Sequence, residues 1–263
     1  MQPNSVTETS LRRVFNEGFG ARDVAESLVS FDFSTPADDL LSLMNERDFD
    51  VVGIRRDGYV CGYINRETAF DEFGGHNLQS IEESQIIFGS TSLTEVVLGL
   101  RDKRRLFVSA FGAVAGIVTR EDLEKPPLRM WLFGMITLIE MRFRHMIERF
   151  STGKPWQSFV SEGRLAKAAL VQAERARRNQ HVELLDCLQF SDIGQILGRN
   201  EELRSMTRLK SRREVEAIVK GLERLRNNLA HSQDIIVSDW DVIVLLAENL
   251  DTILAGPPGL QAS

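Results

Sequence analysis

Cysteine and histidine are scarce in this chain of 263 residues, with two of the first and four of the second. Cys61 and Cys187 lie far apart, each within an apolar pattern. That leaves no disulfide framework and predicts reduced, structural thiols in a cytoplasmic protein. His76, His145, His181 and His231 are scattered and no Cys-x2-Cys occurs, so no metal-binding cluster is expected. The longest apolar-rich run, Met130 to Ile139, is about half of a bilayer-spanning helix, and no membrane segment is expected. The opening MQPNSVTETS has neither the basic nor the apolar region of a signal peptide.

What is present reads as globular: 43% of residues are apolar and 27% charged. The net charge of −6 is unevenly spread. Residues 1–125 carry 13 basic against 21 acidic groups, a net −8, while residues 126–263 carry 19 against 17, a net +2. The acidic whole is a poor bulk ligand for nucleic acid. The stretch Arg199, Arg204, Arg208, Lys210, Arg212 and Arg213 could still make a local phosphate-binding field, or simply a solvated helix face.

The first half contains a repeat. Thr35-Pro36 opens a helix carrying Leu40, Leu41, Leu43 and Met44, with Thr35 as N-cap and Pro36 as its first residue. Two strands, 51–54 and 59–64, follow around a turn at Asp57-Gly58, and a helix is expected to restart at Asn65. The order recurs. Ser90-Thr91-Ser92 caps a second helix, strands 106–108 and 114–118 flank Phe111-Gly112, and a helix restarts at Thr119. Gly58 and Gly112, Gly62 and Gly116, and Arg66 and Arg120 are each 54 residues apart. Such self-similarity means two like units packed together.

The β-α-β-β-α unit in two copies resembles a CBS-domain pair, a Bateman module, over roughly Ala21 to Glu124. Gly116-Ile-Val-Thr-Arg-Glu-Asp122 is similar to that family's G-h-x-S/T-x-x-D signature. The resemblance implies that Thr119 meets a phosphate and Asp122 the hydroxyls of a ribose. Thr119 at a helix start suits an anion, and a carboxylate accepts two hydrogen bonds from a diol. In the first copy Asn65 and Thr68 stand at these positions, so its site lacks the carboxylate. The implied ligand is an adenine nucleotide, AMP, ADP or ATP, or a relative such as S-adenosylmethionine. A structural pair that binds nothing is the alternative.

After Lys125-Pro126-Pro127 the strand signal ends and helical spacing takes over. Helices are expected at 128–150, 162–178, 182–197 (broken near Phe190), 212–231 and 239–254, the last capped by Ser238. Thr152 to Pro155 breaks the first helix, and Gly256 to Gly259 forms a loop. The fold class expected is α+β in two domains, 1–125 with the tandem repeat and 126–263 as a helical bundle.

The fourth of these helices ends in Arg226-Asn227-Asn-Leu-Ala-His231, an R-x4-H spacing with a polar residue directly after the arginine. Over roughly 128–254 the chain resembles the HEPN family of helical domains, whose R-x4-6-H motif is typical of RNA-cleaving members. The resemblance assigns catalysis to Arg226, Asn227 and His231, with no metal or other cofactor needed for cleavage. Asn227 and His231 share a helix face, while Arg226 stands about 140° from His231 on an ideal helix. It also implies a homodimer in which two motifs meet. Together the two resemblances imply a metal-independent endoribonuclease gated by an adenine nucleotide, acting in stress response or phage defence as a toxin would. The competing expectation is a noncatalytic nucleotide sensor whose helical domain binds RNA or a protein partner.

Overall fold

The computed structural model describes residues 3–68, 77–150, 155–207 and 209–255. His76, Arg208, residues 152–154 and 256–259 fall outside them. The chain divides into two compact units, with boundaries at Phe15/Asn16 and Leu128/Arg129. An amino-terminal helix, α1 (Pro3–Gly18), runs across the first boundary, and its residues up to Phe15 belong with the helical unit. The sequence reading did not foresee this helix.

Among its described residues the α/β unit holds seven strands and two α-helices: β1 (Glu26–Ser27), β2 (Ser30–Asp32), α2 (Ala37–Arg47), β3 (Val51–Arg56), β4 (Tyr59–Asn65), β5 (Ile86–Phe88), α3 (Leu93–Asp102), β6 (Arg105–Ala110) and β7 (Ala113–Thr119). They form two sheets, β2-β3-β4 and β1-β7-β6-β5. The copies match in detail. Each has a parallel pair followed by an antiparallel hairpin. Each hairpin carries an irregularity at the same place, Ile54/Arg55 in one and Val108/Ser109 in the other. Each turns through two residues of positive φ, Asp57-Gly58 and Phe111-Gly112, as the mirror-image turns of tight hairpins require.

The copies also complete one another. β1, which precedes the first copy, pairs with β7 of the second, and Gln79, which precedes the second copy, bridges to Tyr63 on β4 of the first. The repeated glycines make this possible. A Cβ on Gly116 would press on the Glu26 carbonyl, and one on Gly62 would strike the Gln79 carbonyl and Leu78. One core lies under α2, with Leu40, Met44, Val52, Ile54 and Ile64. A second joins the copies through Leu28, Tyr63 and Phe107, with the two rings tilted at 5.1 Å between centroids.

Three local expectations change. Pro36 is extended at ψ 141 and serves as the cap of α2, so Thr35 lies outside the helix. Where helices are expected to restart, at Asn65 and Thr119, the described residues form short 3-10 turns at Arg66–Thr68 and Glu121–Glu124. Cys61 is exposed on β4, its thiol donating weakly to the Ile54 carbonyl, rather than buried. Ser92 does cap α3, with Glu95 returning the bond.

The helical unit contains α4 (Pro126–Phe150), α5 (Glu162–Arg177), α6 (Phe190–Arg199), α7 (Glu201–Met206), α8 (Arg212–Ala230) and α9 (Ile236–Ala255). α4 buries Trp131, Leu132, Met135, Ile136, Ile139, Phe143 and Ile147. α8 buries Val215, Ile218, Val219, Leu222, Leu225 and Leu229, the spacing of a single apolar stripe. The expected helix at 182–197 is instead a short turn at Leu185–Cys187 followed by α6. α9 begins before Ser238, whose hydroxyl donates to the Asp234 carbonyl, while Asp234 accepts from Val237 N–H. Asp234 does the capping, because Ser238 already has helical neighbours on both sides. Among the described residues no helix is long and apolar enough to cross a membrane.

Candidate functional site

Two places on the chain collect the residues singled out above, one in each unit. In the α/β unit a cleft of about 830 Å³ is lined by both copies, among them Asp50 and Asn65 from the first and Arg105, Thr119 and Asp122 from the second. Thr119 ends β7 and Asp122 sits in the 3-10 turn that follows. The Asp122 carboxylate is nearly buried. Its Oδ2 accepts from Thr119 N–H (2.7 Å) and from the Thr119 hydroxyl (3.1 Å). The motif is thus a self-braced loop that sets a hydroxyl and a carboxylate side by side in the cleft.

The other residues assigned to this site separate. Asn65 lines the cleft, but Thr68 and Gly116 are not among its lining residues. Thr68 Oγ1 accepts from Gln79 Nε2 at 3.4 Å. Gly116 serves the pairing with β1. The first copy therefore offers an amide where the second offers a braced hydroxyl and carboxylate. Its repeated arginine, Arg66, binds Asp48 and Asp50, where Arg120 binds the Leu100 and Arg101 carbonyls that close α3.

Among the cations of the cleft that the sequence did not single out are Lys125 and Arg105. Lys125 reaches Asp122 Oδ1 at 2.6 Å and Glu26 Oε1 at 3.0 Å. Burial alone would lower its pKa, but the hydrogen bonds to Asp122 and Glu26 outweigh it and hold the ammonium above the usual lysine value. Arg105 lies over the Tyr63 ring at 5.2 Å, and its buried Nη1 has no hydrogen-bond partner. Burial lowers its pKa. A buried unpaired donor costs free energy and suits an anionic acceptor. Only adjacency to the Thr-x-x-Asp motif hinted at Lys125. Nothing local marked Arg105, because its surroundings come from β4.

In the helical unit, Arg226, Asn227 and His231 occupy the last turns of α8. Asn227 and His231 are exposed. His231 is the C-cap, and its backbone N–H donates to the Asn227 carbonyl at 3.1 Å. No side-chain hydrogen bond joins Asn227 to His231, or Arg226 to His231, among the described residues. Arg226 instead donates from Nη1 to Glu140 Oε2 on α4 at 3.0 Å. The other oxygen of Glu140 accepts from Arg144 Nη2 at 2.7 Å. The result is an Arg-Glu-Arg triad of excess positive charge.

The end of α8 is secured by two further residues. Arg129 on α4 donates to the carbonyls of Asn228, Leu229 and Gln233, where the helix dipole favours a cation. Asp239, its side chain fully buried, accepts from Arg224 Nε (2.7 Å), Asn228 Nδ2 (2.6 Å) and the Ser238 hydroxyl (2.9 Å). Glu140 and Arg144 were legible as an i,i+4 pair on a helix. Their tie to Arg226 was not. The basic stretch after residue 198 is largely committed to protein acceptors: Arg199 to the Phe159 carbonyl, Arg204 to the Gly198 carbonyl and Arg212 to Glu216.

No family model matches the chain, and no curated protein does. Among solved structures it is similar to the CBS domain of a bacterial CNNM/CorC family Mg2+ transporter in complex with ATP, at 18% identity over 46% of this chain and 94% of that one, with a TM-score of 0.35. It is similar to the CBS-pair protein CBSX2 from Arabidopsis thaliana, at 20% identity over 43% and 96% of the two chains and a TM-score of 0.36. A conserved CBS domain protein from Thermoplasma acidophilum shares 16% identity over 44% and 75%, with a TM-score of 0.35. Over a little under half of its length, then, the chain is similar to solved CBS domains.

Proposed function

We propose that the chain is a nucleotide sensor of the CBS-pair type, with residues 16–125 as the sensing region and an adenine nucleotide as its ligand. The observation that carries this reading is the Thr119–Asp122 brace, set in a cleft that both copies of the repeat line. The Asp122 carboxylate, braced by the Thr119 hydroxyl, suits a ribose diol. Arg105 supplies positive charge for the phosphate oxygens. Thermal unfolding with AMP, ADP and ATP tests it. A Tm rising with ligand concentration in the wild type and unmoved in Asp122→Ala is expected. A Tm insensitive to all three nucleotides would remove the reading.

For the helical region, 126–263, the proposed output is metal-independent RNA cleavage of the HEPN type. Exposure of Asn227 and His231 at the tip of α8 supports it, as does Arg226, which commits only one N–H donor to Glu140. In this chemistry the imidazole takes the proton of a ribose 2′-hydroxyl. O2′ then bonds to phosphorus as the bond to the 5′-oxygen breaks. That oxygen leaves with a proton taken from water, and a 2′,3′-cyclic phosphate remains. Arg226 would offset the charge gathering on the phosphate oxygens. Arg226 and His231 share no side-chain hydrogen bond among the described residues, so the proposal calls for a homodimer that brings the arginine of one copy to the histidine of the other. Cleavage of RNA by wild type, lost in both His231→Ala and Arg226→Ala, is expected. Equal cleavage by all three proteins, or none by the wild type with or without nucleotide, leaves a noncatalytic sensor whose helical region docks RNA or a protein.

A further inference from the structure

Lys125 lies three residues beyond the carboxylate of the nucleotide motif and is bound to it. Every donor of its ammonium has an acceptor: Asp122 Oδ1 at 2.6 Å, Glu26 Oε1 at 3.0 Å and the Val24 carbonyl at 2.8 Å. Asp122 is almost as fully engaged. A carboxylate offers about four acceptor directions, and the Thr119 N–H, the Thr119 hydroxyl and Lys125 take all but one of them. A vicinal diol that chelates the carboxylate needs two.

We propose that Lys125 is an internal competitor for the ligand's diol, a latch that a ribose must lift from Asp122 before it can bind there. The inference rests on the nucleotide reading and adds to it the residue that governs selectivity.

The geometry makes Lys125 the partner that moves. The Lys125 side chain is 31% exposed and lines the cleft, whereas the Asp122 side chain is 9% exposed. The lysine can swing into solvent while the carboxylate stays. Glu26, 65% exposed, rehydrates at little cost when the lysine leaves. Lifting the lysine takes a donor from the carbonyl of buried Val24 and from buried Asp122, and at Asp122 the ribose hydroxyls replace it. A ligand without the diol can do no such thing, so the lysine discriminates by what it forces the ligand to offer. Lys125 directly precedes Pro126, where α4 begins, so lifting the latch also removes a side-chain anchor at the start of that helix.

The test compares adenosine with 2′-deoxyadenosine, which lack phosphates and so keep charge out of the measurement. Binding of each to the full chain, wild type and Lys125→Met, is followed by calorimetry. Adenosine should bind the variant about tenfold more tightly than the wild type, the worth of one charge-assisted hydrogen bond. The affinity for 2′-deoxyadenosine should change by less than about twofold. An adenosine affinity that is unchanged or weakened in Lys125→Met overturns the latch and leaves the nucleotide reading intact. Absence of binding by adenosine, AMP and ATP to either protein overturns both.

A second measurement needs no variant and so covers a Lys125→Met chain that fails to fold. Amine acylation of the wild type, read by mass spectrometry, should find Lys125 slow to react without ligand and faster with saturating adenosine. Reactivity that adenosine leaves unchanged or lowers is the opposite of a lifted latch and overturns it.

Discussion

Arg226 and Glu140 face each other across two helices, guanidinium to carboxylate at 3.0 Å, and the same carboxylate holds Arg144. The three side chains keep only 28%, 14% and 20% of their exposure. A charged cluster this sheltered gains little net stability over apolar packing, yet removing one member is costly because the others stay behind unpaired. Glu140→Ala should therefore destabilise the chain by about 2–3 kcal/mol, below the usual cost for a fully buried pair because all three groups retain some water. Urea unfolding measures it. A shift in midpoint within error of zero would mean that the arginines rehydrate freely.

Asp239 is the other polar anchor of this corner. It collects donors from Arg224, Asn228 and Ser238 with no exposure of its own side chain. As an acid in the first turn of α9 it also meets a favourable dipole. Asp239→Ala should cost about 2–3 kcal/mol, since Asn228 loses its nearer acceptor at a partly buried position and keeps only the Ser238 hydroxyl at 3.5 Å, while exposed Arg224 turns to solvent. Amide exchange should quicken in residues 228–236 before the rest of α8. Uniform loss of protection along all of α8 would contradict a local role.

Gly134 on α4 lies under the ring of Phe15 on α1, and a Cβ there would overlap the ring atoms. Both residues belong to the helical unit. Gly134→Ala should cost about 1–3 kcal/mol in the wild type, because the ring must leave its seat. In a Phe15→Ala background the same change should cost less than about 0.5 kcal/mol. Equal costs in the two backgrounds would show that the ring does not limit this approach.

Glu148, exposed near the end of α4, has its pKa raised, first by partial desolvation and then by repulsion from Asp186 and Glu183, with Arg144 offsetting part of it. A carboxyl with a raised folded pKa is ionised more readily in the unfolded chain. Its penalty is absent in acid, develops as pH climbs from the ordinary glutamate range through the folded pKa, and is full at neutral pH. Glu148→Gln should raise Tm at pH 7, and the gain should shrink toward zero near about pH 3, where both states hold the proton. A gain that persisted undiminished in acid would assign it to packing instead of charge.

The 54-residue repeat was legible because its signals are local. Asp57-Gly58 and Phe111-Gly112 turn the chain by their own backbone preferences, and Ser92 with Glu95 closes a helix end within one turn. The apolar stripe of α8 and the Thr119–Asp122 brace are equally short-range, with partners three or four residues apart. Boundaries drifted where local preference was weak, as at Pro36 and Ser238. The amino-terminal helix passed unnoticed because its place depends on Gly134, more than a hundred residues away in sequence.

The sequence by itself determined the two-copy architecture, the change to helices after Pro126 and the residues of both motifs, since periodicity, capping and turn chemistry act over a few residues. Only the tertiary structure decided which charges meet. Lys125 finds Glu26 across nearly a hundred residues, Arg226 finds Glu140 across 86, and Arg105 finds the ring of Tyr63 from another sheet. Ion pairs and cation–ring contacts depend on distance in space, and packing of the apolar faces, which fixes that distance, carries no trace in the spacing of the charged residues themselves.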